Sequence, residues 1–323
     1  MQADEPPTGI DLTVRLGRLV LRNPVLTVSG TCGYGDEYAP FINLGHLGAF
    51  TTKSVTLNPR RGNVPPRIVE TAGGMLNAIG LANVGLERFI NEKLPVLAKL
   101  SVPALVNVAG HTIDEYKAVC ERLDGHAAVA GLELNVSCPN VSDGLVFGTD
   151  ADALGRLVGV VRKVVKRSLL IVKLSPNVTD ITKTARAAIE AGADCLSLIN
   201  TFVGMAIDVE TQRPVLANRT GGLSGPAIKP LALNLVSRVH REVAGPANIP
   251  LIGMGGIRTW SDAIEFMLAG ATAVGIGTAL FIDPTTPVKV LEGVQAYLRR
   301  HHLKSVSQLV GRLSFDRDEP PAG

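Results

Sequence analysis

A cysteine flanked by amide side chains stands where an apolar stretch of the chain ends. In the segment LELNVSCPN (residues 132–140), Cys138 follows the stretch, with Asn135 before it and Asn140 after it. A thiol at the end of a buried strand can act as an acid or base once nearby cations favour its thiolate. The amides can hold a polar, planar ligand beside it. Cys138 is therefore a candidate catalytic residue; the alternative is a cysteine that only packs.

Polar side chains also end other apolar stretches. They are Ser29, Lys53, Ser54, Asn107, Lys173, Asn200 and Thr201. Two lysines at the carboxyl ends of different parallel strands would face the same mouth, although a single lysine there can be a solvated charge. Cations and amides together suit an anionic, amide-rich substrate.

Two glycine-rich segments follow predicted strands near the end of the sequence. They read IGMGGI (residues 252–257) and VGIGTA (residues 274–279). Bare backbone N–H groups can approach a phosphate closely, and the last strands of a (β/α)8 barrel carry such a site. The glycines could instead only make tight turns. Because both segments occur, we predict a phosphate-bearing cofactor, and FMN rather than a simple phosphate ester. Lys173 would then stabilise the charge of the reduced flavin, unless it only pairs with a carboxylate.

Composition excludes several classes of protein. The 323 residues carry a net charge of +3 and scattered basic residues, which does not favour a nucleic-acid binder. The four cysteines (Cys32, Cys120, Cys138 and Cys195) form no CxxC pair, so we expect no zinc ribbon, no iron–sulfur centre and no metal site in the chain. No apolar run reaches the roughly 18 residues of a membrane helix, and the polar start lacks a signal-peptide pattern. These features predict a soluble, cytoplasmic protein.

Short apolar runs alternate with helical patterns along the chain, which indicates parallel strands. The strand candidates are Pro24–Ser29, Ala49–Val55, Ala104–Ala109, Gly131–Val136, Leu169–Leu174, Cys195–Ile199, Pro250–Met254 and Ala273–Ile276. Helical patterns include Asp114–Arg122, Ala151–Lys166, Thr179–Ala191, Pro230–Val243 and Ser261–Ala269, the last with Ser261 as a candidate N-cap.

Eight strands with eight crossovers predict a TIM (β/α)8 barrel, preceded by a small hairpin that turns at Gly17. A doubly wound sheet is the alternative, but no topological switch point is marked. We predict one domain over residues 10–315, with a flexible leader (1–9) and a flexible tail (316–323).

These residues resemble the class 1 dihydroorotate dehydrogenases over nearly the whole chain. The matching motifs are NVSCPN (135–140), TKSV (52–55), NAIGL (77–81), INT (199–201) and GLSGPAIKP (222–230). Within the class, GMAID (204–208) and NVSDGLVFG (140–148) resemble the class 1B, NAD-linked catalytic subunit. Class 1A, the fumarate-linked type, is the near alternative.

The resemblance implies an FMN enzyme that oxidises dihydroorotate to orotate in pyrimidine synthesis, with Cys138 as the base. It implies a substrate site of Lys53, Asn77, Ala78, Ile79, Gly80, Leu81, Asn135, Asn140, Asn200 and Thr201. It implies an FMN site of Ser29, Lys53, Ser54, Asn107, Asn135, Lys173, Ile199, Gly225, Gly255, Gly256, Gly277 and Thr278. Electrons would reach NAD+ through a partner subunit with FAD and a [2Fe–2S] centre, in a heterotetramer built on a homodimer of this chain.

Two readings of another kind stay open. A barrel lyase or isomerase could hold a phosphorylated sugar on the glycine loops and use Lys173 as a Schiff base. A non-catalytic barrel could serve only as a binding subunit, in which case changing Cys138 would alter nothing.

Overall fold

The computed structural model describes residues 9–137 and 147–315, and eight parallel strands form its central sheet. In chain order, the barrel strands 1 to 8 are Val25–Thr27, Phe50–Thr51, Ala104–Val108, Gly131–Asn135, Leu169–Lys173, Cys195–Leu198, Leu251–Met254 and Ala273–Ile276. Strands that follow one another in the sequence pair in space, and strand 8 pairs with strand 1. A parallel bridge between Leu26 and Ala49 joins strands 1 and 2, so the ring is nearly closed. The predicted TIM barrel is confirmed.

Helices surround the barrel and cover its strands. The α-helices are Leu86–Arg88, Leu94–Leu97, Ile113–Leu123, Ala151–Val164, Ile181–Glu190, Lys229–Val239, Trp260–Leu268 and Thr286–Arg300. Single turns of 3-10 helix span Leu44–His46, Pro226–Ile228, Thr278–Phe281 and Val306–Leu309, and π-helical turns span Phe89–Lys93 and His240–Ala244. In the helix from Ala151, the buried residues Leu154, Leu157, Val158 and Val161 form one apolar stripe of helical spacing.

Polar side chains cap the helices that begin at Ile113, Ala151, Ile181 and Trp260, and the last of these caps differs from the sequence expectation. Ser261 was the candidate N-cap, whereas the helix begins at Trp260 and Thr259 caps it. The backbone N–H of Asp262 donates to Thr259 Oγ1, and the Asp262 carboxylate accepts from the Thr259 N–H at 2.8 Å. This reciprocal capping box satisfies two free N–H groups at once, which a serine cap two residues later would not do.

The loops at one end of the barrel form a second, four-stranded antiparallel sheet. Its strands, in spatial order, are Phe202–Gly204, Gly221–Ser224, Gly74–Asn77 and Ile68–Thr71. Two of them follow barrel strand 2 and two follow barrel strand 6, so the sheet lies at the carboxyl ends of the barrel strands. Two small strand pairs complete the fold, Val14–Leu16 with Leu19–Leu21 (the predicted hairpin) and Ile207–Asp208 with Arg213–Pro214.

No helix in the described ranges has both the length and the apolar composition needed to cross a membrane.

Candidate active site

A buried network of polar side chains fills the inside of the barrel beneath its mouth. Asn107 on strand 3 donates from Nδ2 to Glu133 Oε1 at 2.7 Å, and Ser54 Oγ donates to Asn107 Oδ1 at 2.5 Å. From strand 6, Ser197 Oγ donates to Glu133 Oε2 at 2.8 Å. Both carboxylate oxygens are therefore satisfied by neutral donors. The network fixes the amide of Asn107, one of the predicted cofactor residues.

Lys173 ends strand 5 inside the same barrel and is only 4% exposed. Its Nζ donates to Ser29 Oγ, across the barrel on the segment after strand 1, at 3.3 Å. Burial lowers the pKa of the Lys173 ammonium from its usual value, and the negative charge of Glu133 opposes that effect. An ammonium has three donors, and the described residues supply one acceptor. The remaining donors are available to a ligand.

The amides predicted to bind substrate meet above strand 4. Asn135 pairs in register with Lys173, and Asn200 Nδ2 donates to Asn135 Oδ1 at 3.1 Å. The backbone of Thr201 donates to Asn200 Oδ1 at 2.8 Å, and Tyr116 Oη donates to the Asn135 carbonyl at 2.6 Å. These contacts hold two amides in fixed orientations at the mouth.

The second sheet brings Asn77 to the same mouth. Asn77 pairs in register with Gly222, and its Nδ2 donates to the Gly222 carbonyl at 3.3 Å. A Cβ built on Gly222 would lie 2.1 Å from Thr201 Oγ1, so Thr201 packs directly on this strand. The residues that follow Asn77 are Ala78, Ile79, Gly80 and Leu81, and the last two have positive φ angles of 74° and 56°. Asn63 anchors this turn by donating from Nδ2 to the Ala78 carbonyl and from its backbone N–H to the Ile79 carbonyl.

Lys53 follows strand 2 and is half-buried, and its Nζ makes no hydrogen bond or ion pair within the described ranges. Burial lowers the pKa of Lys53 from its usual value, the nearby charge of Arg67 lowers it further, and Glu37 raises it. A lysine without a carboxylate partner at a mouth lined by amides is available to an anion.

The two glycine segments follow strands 7 and 8, which pair with each other. Gly255 and Gly256 have φ angles of 127° and 80°, and a Cβ on Gly256 would lie 2.8 Å from the Gly225 carbonyl oxygen. Ile199 lies against Gly255, since a Cβ there would be 3.6 Å from Ile199 Cγ1. In the part of the chain that is described, the N–H groups of Gly255, Gly256 and Gly277 donate to no protein acceptor. They form a set of free donors at the ends of strands 7 and 8.

Thr278 begins the turn after strand 8, and its Oγ1 donates to Ser224 Oγ at 2.8 Å. This contact links the last glycine segment to the second sheet. Ser224 was not predicted, although it lies in the GLSGPAIKP motif.

Two predicted site residues, Cys138 and Asn140, lie outside the described residues. Before them, the described chain ends at Ser137, two residues beyond Asn135. Sequence reasoning missed Glu133, Ser197 and Arg67. Glu133 was hidden inside an apolar run, and a charged residue in such a run was the available signal.

Comparison with known proteins identifies the family. The family model described as dihydroorotate dehydrogenase matches residues 11–298. The chain belongs to the dihydroorotate dehydrogenase family. The relatives named dihydroorotate dehydrogenase B (NAD(+)), catalytic subunit, from Pelobacter propionicus and Geotalea daltonii are 56% and 53% identical to it. The alignments cover 94% of this chain and 98% and 99% of the relatives.

A solved structure shares the dihydroorotate dehydrogenase fold. The crystal structure of DHODH from Eimeria tenella in complex with ferulenol matches with a TM-score of 0.78, over 96% of this chain and 90% of that one. At 23% sequence identity, it supports the fold alone. The resemblance to the class 1B catalytic subunit is confirmed by the curated relatives.

Proposed function

We propose that the chain oxidises dihydroorotate to orotate in pyrimidine synthesis, as the catalytic subunit of an NAD-linked enzyme. The observation that carries this proposal is its 52–56% identity, over 94% of the chain, to proteins named as that subunit. The mouth of the barrel supports it, because amides and a lysine with no ion-pair partner among the described residues suit a planar, anionic ring.

FMN is the proposed cofactor, and the residues present fit it. Free N–H donors at Gly255, Gly256 and Gly277 suit a phosphate, and glycine is needed because a Cβ on Gly256 would meet the Gly225 carbonyl. Lys173 is a buried cation with unused donors, which suits an anionic ring edge. When bound, FMN supplies the acceptor for the hydride that leaves ring carbon six of the substrate.

The chain's own residues bind the substrate and move one proton. Lys53 binds the substrate carboxylate, and Asn77, Asn135 and Asn200 hold the ring edges, because an amide donates and accepts together. Cys138 removes the proton from ring carbon five, for which it must become a thiolate. The contact of Asn200 with Asn135 orients both amides before the substrate arrives.

The electrons then leave through another protein. The relatives' name, catalytic subunit, implies a partner subunit. We propose that this partner carries FAD and a [2Fe–2S] centre, and that a homodimer of this chain and two partners form a cytoplasmic heterotetramer. A fumarate-linked enzyme of class 1A is the alternative.

Flavin reduction tests the proposed activity. The purified chain should carry one FMN and lose its visible absorbance when dihydroorotate is added without oxygen. Cys138→Ala should keep FMN but slow this reduction by about 10²–10⁴-fold, the usual contribution of a general base. Cys120→Ala, which changes a buried cysteine on an outer helix, is the control and should reduce at the normal rate.

Two results would contradict the proposal. Full-speed reduction in Cys138→Ala would remove the base assignment. A colourless protein that borohydride links to a phosphorylated sugar would instead support a lyase barrel.

A further inference from the structure

Glu133 is a carboxylate in the interior of the barrel, only 2% exposed, and no function has been given to it above. Its two oxygens accept from Asn107 and Ser197, which are both neutral. A buried charge is costly unless an opposite charge compensates it, and hydrogen bonds from neutral groups compensate it only in part. Glu133 therefore requires a cation nearby.

Lys173 is that cation. Strands 4 and 5 are adjacent, and Glu133 lies two residues before Asn135, the register partner of Lys173, so the two charged side chains face the same interior. Glu133 is the charged group that acts on Lys173, where it raises a pKa that burial lowers. The charge of Glu133 acts on Lys173 without direct contact, because no ion pair joins the two side chains among the described residues.

The other groups that face Glu133 are neutral. Strand 3 presents Asn107, and strand 6 presents Ser197 and Cys195. Burial, then the charges of Glu133 and Asp194, raise the pKa of the Cys195 thiol well above its usual value, so it stays protonated. The described interior thus holds one carboxylate and one ammonium.

We propose that Glu133 is the counter-ion of Lys173 and acts through it as a positioning residue: its buried charge keeps the Lys173 ammonium protonated beside the flavin. This rests on the proposed function, because the flavin is what the ammonium serves. A cation near the ring stabilises the reduced, anionic cofactor and raises its potential. Glu133 sets that potential without touching the cofactor.

Glu133→Gln isolates the charge from the hydrogen bonds. The amide oxygen can still accept from Asn107, and the amide nitrogen can donate to Ser197 Oγ, whose hydroxyl is free to turn. Ser197→Ala is the matched control, since it removes one hydrogen bond to Glu133 and keeps the charge.

The first measurement does not depend on flavin. Urea unfolding of the purified full chain would compare Glu133→Gln, Lys173→Met and the double variant. Each single change leaves an unpaired buried charge, whereas the double variant leaves none. The folding equilibrium constant of the double variant should therefore be at least tenfold larger than the sum of the two single effects predicts. Additive effects would overturn the counter-ion pair, whether or not the chain binds FMN.

The second measurement is the midpoint potential of bound flavin against pH. Without Glu133, the pKa of Lys173 falls. Above that pKa the Lys173 side chain is a neutral amine, so the midpoint potential of the flavin should drop. Compared with the wild type, we expect the affinity for reduced flavin to fall at least tenfold relative to that for oxidised flavin. A tenfold change lowers the midpoint potential of a two-electron couple by about 30 mV. Below that pKa the uncompensated ammonium should raise the potential above the wild-type value.

Ser197→Ala should keep the wild-type shape of this profile. Glu133→Asp retains the charge and should keep it too, and this variant tests the proposal if Glu133→Gln does not fold. Equal shifts at every pH in Glu133→Gln and Ser197→Ala, or an altered profile in Glu133→Asp, would overturn the proposal. A chain that shows the unfolding coupling but binds no flavin would overturn the proposed cofactor, not the ion pair.

Discussion

At the scale of single residues, the lysine at the mouth of the barrel and the lysine in its interior have different electrostatic surroundings. Lys173 is buried with a carboxylate nearby, whereas Lys53 is half-buried without an ion-pair partner among the described residues. The charge of Arg67 beside Lys53 adds to the positive potential at the entrance. An interior lysine that serves a cofactor needs a fixed charge, and an entrance lysine that binds a diffusing anion needs to be free.

Orotate affinity tests the role of Lys53. Lys53→Met should weaken orotate binding by about 1.5–3 kcal/mol, the usual value of a hydrogen bond to a charged group, or roughly tenfold to above a hundredfold. Titration of flavin absorbance with orotate measures this. Lys289→Met is the control, because Lys289 is an exposed lysine that pairs with Asp283, and it should leave affinity unchanged. Unchanged affinity in Lys53→Met would exclude a carboxylate contact.

The same titration has a predictable pH dependence. The pKa of Lys53 is lowered, so orotate affinity should fall as the pH rises through a value below that of an ordinary lysine. Arg67→Gln removes a charge that lowers this pKa, so the fall should move to higher pH. Glu37→Gln removes a charge that raises it, so the fall should move to lower pH. Identical profiles in all three proteins would show that another group controls binding.

At the scale of elements, the sequence predicted what local patterns determine. Each of the eight predicted strands contains an observed strand, because buried parallel strands are continuous apolar runs between helical patterns. The sheet at the mouth was not predicted. Its strands are short, and Gly222 pairs with Asn77 from far along the chain, which no local pattern records. The hydrogen bonds of Glu133 could not be predicted for the same reason, since Asn107 and Ser197 reach it from other strands.

The glycine segments can be tested as elements. Gly256→Ala forces a side chain onto a backbone at φ 80°, with the new Cβ 2.8 Å from the Gly225 carbonyl oxygen. We expect a loss of about 1–3 kcal/mol in the free energy of unfolding and loss of bound FMN. Gly192→Ala is the matched control, with φ 101° and a contact of 2.9 Å to Arg162 Cγ, just before strand 6 at the opposite end of the barrel.

The control separates stability from binding. Gly192→Ala should also be less stable but should keep FMN, as measured by urea unfolding and by flavin content after gel filtration. Full FMN content in Gly256→Ala would exclude this segment from the phosphate site.

At the scale of the whole molecule, the family and the fold follow from the chain, whereas the proposed electron acceptor depends on a second protein. The curated relatives match over 98–99% of their length, so the likeness is to the complete catalytic subunit. The motifs that bind substrate and flavin in the proposed site would serve a fumarate-linked enzyme equally well. The site residues could therefore predict only the first half-reaction, whereas the NAD-linked second one was predicted from the resemblance of residues 204–208 and 140–148 to class 1B.

Acceptor specificity resolves that second half-reaction. The isolated chain should oxidise dihydroorotate with an artificial dye and should reduce neither NAD+ nor fumarate at a comparable rate. With its partner subunit, NAD+ reduction should appear, because electrons then have a path from the buried flavin to a nucleotide site. The Cys138→Ala variant in the same complex is the control for the source of the electrons, and it should lose NAD+ reduction. Rapid fumarate reduction by the isolated chain would instead place it with the class 1A enzymes, since that activity needs no second subunit.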